Sequence, residues 1–184
     1  KKFACAIHAI GDRANQRVLN AYAKVAAESR SHNLRHRIEH AQLLHPQDIA
    51  RFAEYGIIAS AQPIHLAADV PLIDQYWGAR GQHAYAFESL RKSGAMLAFG
   101  SDTPIESFDP WKGIYAAVER KHLCDPKKQA YYPQEKMSIA HALQAYTANS
   151  AYTVHEEVSL GTLEPGKLAD FTLINQDIFN NPPE

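Results

Sequence analysis

Two histidines, a glutamine and an aspartate stand at matching points of four successive segments. His8 closes F-A-C-A-I-H, His40 closes L-R-H-R-I-E-H, Gln62 closes I-I-A-S-A-Q, and Asp102 follows A-M-L-A-F-G-S. Two imidazoles and one carboxylate form a donor set for a divalent ion, with Zn–N distances of about 2.0–2.1 Å expected for zinc. A single histidine ending a strand is an ordinary polar cap, and S-D-T-P is also turn chemistry in which Asp102 only caps. Three ligand-type residues at equivalent places in consecutive units argue for a shared site.

The elements that must position them follow from periodicity. Residues 95–99 are a short apolar strand opened by Gly94. Period-two alternation puts Met96, Ala98, Gly100 and Asp102 on one face and Leu97 and Phe99 on the other. In residues 3–8, Phe3, Cys5 and Ile7 alternate with Ala4, Ala6 and His8, so His8 belongs to the small-residue face. In residues 34–40 the alternation groups His40 with Ile38 and His36. Arg35, Arg37 and Glu39 then fall where a helix-covered strand should be apolar, and only an Arg37–Glu39 pair softens that conflict. Helices are expected with Ala14, Val18, Ala21, Tyr22 and Val25 on one stripe, then from Pro46 to a Gly56 stop, over 86–93, from Pro110, and after Ser138. Residues 63–80 read as a long loop at the site, a lid or substrate wall. Residues 124–135 read as a polar loop. From Ser159, two strands are expected, the second over 169–174.

Four β-α units in the first hundred residues make this an α/β protein with a parallel sheet. The 184 residues suffice for one core. A hydrophobic fraction of 46%, a charged fraction of 21% and a net charge of -1 describe a globular chain without the basic face that nucleic acid or an anionic membrane would require. No apolar run approaches the roughly 20 residues of a membrane span. Cys5 and Cys124 are far apart and outside any C-x-x-C, which favours two structural thiols and a reducing, cytoplasmic compartment. A strand pattern starting within the first residues, with no initiating Met, is expected of the later part of a longer protein.

H-A-I-G-D-R-A (8–14), R-H-R-I-E-H-A-Q (35–42), Q-P-I-H (62–65) and F-G-S-D-T-P (99–104) together resemble the amidohydrolase superfamily, in its YtcJ-like branch with the N-substituted formamide deformylases. G-T-L-E-P-G-K-L-A-D-F (161–171) is similar to the segment that returns to the small β-sandwich beside the barrel in that family. The resemblance implies the C-terminal half of a TIM-type (β/α)8 barrel, strands five to eight, over residues 1–158, and part of a β-sandwich over 159–184. It implies His8 and His40 as metal ligands after strands five and six. Asp102 becomes the aspartate after strand eight, which binds metal and takes a proton from the attacking water. Gln62, His65, Arg80 and Tyr85 become substrate-pocket residues. The implied cofactor is a divalent metal, zinc foremost, as one or two ions in the parent protein. The implied substrate is a small amide-like molecule, and the implied partner is an N-terminal half or a second copy of the chain against the open sheet edges. The family also needs an H-x-H after strand one and a carboxylated lysine or its equivalent after strand four, and no H-x-H precedes His8. Competing expectations are a non-catalytic half-barrel module and a binding protein that keeps the pocket without the chemistry.

Overall fold

The structure is a computed structural model, described over residues 3–122, 127 and 129–180. Its centre is a parallel four-stranded sheet in sequence order: β1 (Ala6–Ala9), β2 (Arg37–His40), β3 (Ile58–Ala61) and β4 (Leu97–Phe99). Parallel neighbours need long crossovers. These are α1 (Asp12–Ala23) with α2 (Ala26–Ser31), then α3 (Pro46–Tyr55), then α4 (His65–Tyr76) with a 3-10 turn (Gly78–His83) and α5 (Phe87–Lys92). After β4 come α6 (Pro110–Glu119), a 3-10 turn (Pro133–Glu135), α7 (Ile139–Tyr146) and α8 (Ala148–Thr153).

The register defines two faces. Ile7, Ile38, Ala59 and Leu97 are aligned across the strands, and all but the partly buried Ile7 are buried among helix residues such as Leu19, Phe52 and Leu90. His8, Glu39, Ser60 and Ala98 form the row on the opposite face. The alternation expected for β1 and β4 therefore holds. That for β2 is reversed: Ile38 faces the helices, and Arg37 and Glu39 face the same side as His8, where their ion pair is only partly buried. Alternation failed there because His40 leaves it. Its φ is 73° and that of Ala41 is 45°, so the strand ends in left-handed backbone and the last side chain is re-aimed.

Local chemistry explains the helix ends. His45 accepts from Gln47 N, Pro46 opens α3, and Gly56 closes it at φ 68°. Asp109 accepts from Trp111 N at α6, and Ser138 accepts from His141 N at α7. The buried stripe of α1 is Asn15, Leu19 and Tyr22; of the expected stripe only Tyr22 is buried, Val18 is partly buried, and Ala14, Ala21 and Val25 are exposed.

Further expectations change. Residues 65–76 are helix, not loop. Pro71 and apolar residues around much of the circumference hid the period, and no side chain caps the start. In residues 159–180 no strand forms among the described residues. Backbone there has no strand alongside to pair with, and Leu173 stays 90% exposed. Of the two thiols, Cys5 is exposed rather than structural, and Cys124 lies outside the described residues.

α8, which the sequence does not announce, covers the free edge of β4. Asn149 Nδ2 donates to Leu97 O at 2.8 Å and Ser150 Oγ to Phe99 O at 3.2 Å. Of the two edges expected to be open, only that of β1 lacks such cover among the described residues. Arg35 ties this end together by lying over the Tyr152 ring and pairing with Glu157. The groove it lines with Arg30, Phe52 and Met96 is at the amino ends of the strands, away from the strand-end histidines.

Candidate metal centre

The loop after β1 is organised by a residue that hydrophobic patterning cannot flag. Asn15 is fully buried, and its Nδ2 lies 2.9–3.2 Å from the carbonyls of Ala9, Ile10, Gly11 and Leu43. It thereby joins the chain just after His8 to the chain just after His40. The two imidazoles stand edge to face, with ring centroids 4.5 Å apart. Burial, and then the neighbouring His8, hold His40 below the usual imidazole pKa. Near neutral pH it therefore keeps a lone pair free for a ligand.

His65 opens α4, its ring centroid 6.1 Å from that of His40. Its Nε2 lies 3.4 Å from Asp102 Oδ2, and its Nδ1 lies 4.0 Å from Glu106 Oε1. Asp102 adopts φ 61°, an uncommon conformation for a non-glycine residue. One donor atom from each of His40, His65 and Asp102 lies within 4.8 Å of the other two. Gln62 is buried and exerts its effect on His40 from beside that ring, and its Oε1 has no hydrogen-bond partner. Two imidazoles and a carboxylate in one place suit a divalent cation.

The other pocket residues named from sequence are occupied elsewhere. Arg80, more than half exposed, pairs with Asp12 at 2.7 Å. Tyr85 is buried and donates to Asp69 Oδ2, which also accepts from Gln42 Nε2. Burial pushes the Tyr85 phenol well above its usual pKa, so it stays a donor. Arg120 in turn donates to the carbonyls of Ala84 and Tyr85. Tyr85 thus braces α4 one turn beyond His65. Asp69 and Glu106 did not stand out in the sequence. A helix assigned to 65–76 would have exposed the first, since Asp69 is four residues from His65 and shares its face.

The amidohydrolase family profile matches residues 1–184. Protein LONG AFTER FAR-RED 3 of Arabidopsis thaliana is 41% identical over 173 residues, 92% of this chain and 29% of that protein. The putative amidohydrolase YtcJ of Bacillus subtilis (strain 168) is 37% identical over 184 residues, 100% of this chain and 34% of that protein. Among solved structures, an uncharacterized metal-dependent hydrolase from Pyrococcus furiosus superposes with a TM-score of 0.79 at 32% identity, covering 96% of this chain and 34% of its own. The chain spans about a third of the length of these relatives. With its whole length matched and a His/His/Asp group at the strand ends, the chain belongs to the amidohydrolase family, in the branch of YtcJ.

Proposed function

We propose that this chain is the C-terminal part of a metal-dependent hydrolase that cleaves amide-like C–N bonds, N-substituted formamides among them. The supporting observation is the convergence of His40, His65 and Asp102 within 4.8 Å at the carboxyl ends of a parallel sheet, with His8 against His40. Strand carboxyl ends are where barrel enzymes carry their chemistry. In this reading, β1 to β4 are strands five to eight of a TIM-type barrel, residues 1–158 belong to it, and 159–184 belong to a small β-sandwich.

His8, His40 and Asp102 would hold a divalent ion, zinc by donor type. Such an ion would supply Lewis acidity to the attacking water and the scissile carbonyl. Asp102 takes a proton from that water as the C–O bond forms and returns it to the nitrogen as the C–N bond breaks. Its left-handed backbone sets the direction of the carboxylate. Gln62 lines the pocket, and Arg80 and Tyr85 reach substrate only through the elements they hold, α1 and α4. The upstream H-x-H and lysine belong to the partner half, which packs on the open edge and inner face of the sheet.

The test is metal-supplemented turnover of a formamide panel by the 184-residue chain, by the chain rejoined to its upstream half, and by the rejoined protein carrying Asp102→Asn. The chain alone should be inactive and the rejoined protein active. The Asn variant should fall about 100-fold or more, the range of a lost general acid–base group. Robust turnover by the chain alone would sink the half-site reading, and a rejoined protein that binds substrate without turnover would make this a binding protein.

A further inference from the structure

We infer that His65 is itself a metal ligand, through Nε2, and that Glu106 orients it. This rests on the hydrolase reading for the presence of an ion, but it replaces the substrate contact that the sequence suggests for His65.

The distance carries the argument. His65 Nε2 and Asp102 Oδ2 are 3.4 Å apart. A charge-assisted N–H···O bond closes to about 2.7–2.9 Å, so 3.4 Å is long for a direct bond between imidazole and carboxylate. Two donors at about 2.05 Å from one tetrahedral ion are separated by about 3.4 Å along the tetrahedron's edge. His65 and Asp102 therefore stand as two ligands of one ion would, and His40 supplies a third donor within 4.8 Å of both.

The rest of the ring agrees. Ligation through Nε2 leaves the proton on Nδ1, and Glu106 Oε1 lies on that side at 4.0 Å. A carboxylate on the distal nitrogen's side fixes the tautomer and raises the basicity of the ligating nitrogen; at 4.0 Å Glu106 does so through its charge, short of a direct hydrogen bond. The support is built rather than incidental. His65 opens α4, and one turn on, Asp69 is fastened by Tyr85 and Gln42, so the start of the helix is held to the chain after β2. Only 13% of the His65 side chain is exposed, against 38% for Asp102.

Cobalt(II) titration of the chain, read by visible absorption and equilibrium dialysis, tests the assignment. The wild type should bind one equivalent. His65→Phe, which keeps ring volume, should weaken binding by more than about 100-fold, the upper end for residues that only orient a ligand. Glu106→Gln should weaken it by about 10- to 100-fold. Circular dichroism checks that each variant folds. Imidazole 15N spectra of the wild type with zinc need no substitution: His65 Nε2 should move to the coordinated range, with the proton on Nδ1. If His40 moves and Asp102→Asn loses the ion while His65 is unaffected, this assignment is overturned and the hydrolase reading stands. If no histidine moves and Asp102→Asn binds like the wild type, the metal site itself is overturned, and the assignment with it.

Discussion

His36 shows how one buried side chain couples this sheet to pH. Cys5 N donates to its Nδ1 at 2.9 Å, so that nitrogen must be unprotonated. Its Nε2 lies 2.8 Å from Ser29 Oγ, which itself donates to Val25 O, so Nε2 carries the proton and the ring is neutral. The ring stacks on Tyr22 at 4.9 Å, and burial lowers its pKa below 6.5. The unfolded state then binds a proton before the folded state does. The stabilisation is complete above about pH 6.5 and is lost as pH falls from there through the folded pKa. Urea midpoints should therefore drop between pH 7.5 and 5.5. His36→Gln should flatten part of that slope and leave the share due to His40, whose shift has the same sign. An unchanged slope in the variant would remove His36 from the account.

At the level of elements, α6 and α7 meet where the sequence places its smallest residue. A Cβ on Gly113 would fall 1.8 Å from Tyr146 Oη. The Tyr146 ring packs on Phe99 at 5.5 Å and its hydroxyl reaches toward Gly100 O, two residues before Asp102. Gly113→Ala should cost about 1–3 kcal/mol of stability by overpacking, seen as a lower urea midpoint. It should also weaken cobalt binding by displacing the end of β4. Asp109→Ala separates the two effects: it removes the cap from Trp111 N, should cost about 1 kcal/mol, and should leave the metal affinity of the folded chain unchanged.

For the whole molecule, the sheet has unequal edges. That of β4 is satisfied from within by Asn149 and Ser150, while among the described residues no element pairs with that of β1, beside the sheet face bearing His8 and the Arg37–Glu39 pair. Unpaired edges recruit strands. The isolated chain should self-associate in sedimentation experiments, and Ala6→Pro should reduce that association by placing a residue without an N–H in the edge strand. A wild-type chain that sediments as a monomer at every concentration would count against this. Among the described residues, no helix is long and apolar enough to cross a membrane.

The sequence alone determined the parallel four-unit order, both ends of α3, the starts of α6 and α7, and the family. Each of these rests on local signals: alternation, cap residues such as Pro46, Gly56 and Ser138, and contiguous motifs. Only the tertiary structure decided which face of β2 turns to the helices, because two left-handed residues, His40 and Ala41, break the alternation that sequence reading assumes. It likewise decided that 65–76 is a helix. Tertiary burial of Leu66 and Ile73, together with the Tyr85–Asp69 brace, holds a segment whose own pattern is weak and contains Pro71. It brought His65, at the start of α4, to Asp102 and Glu106 in the loop after β4, since distances between side chains far apart in sequence are set by how the helices pack on the sheet. The tail 159–180 shows the converse: a strand-like pattern in sequence stays unpaired because strand formation requires a neighbour, and none of the described strands runs beside it.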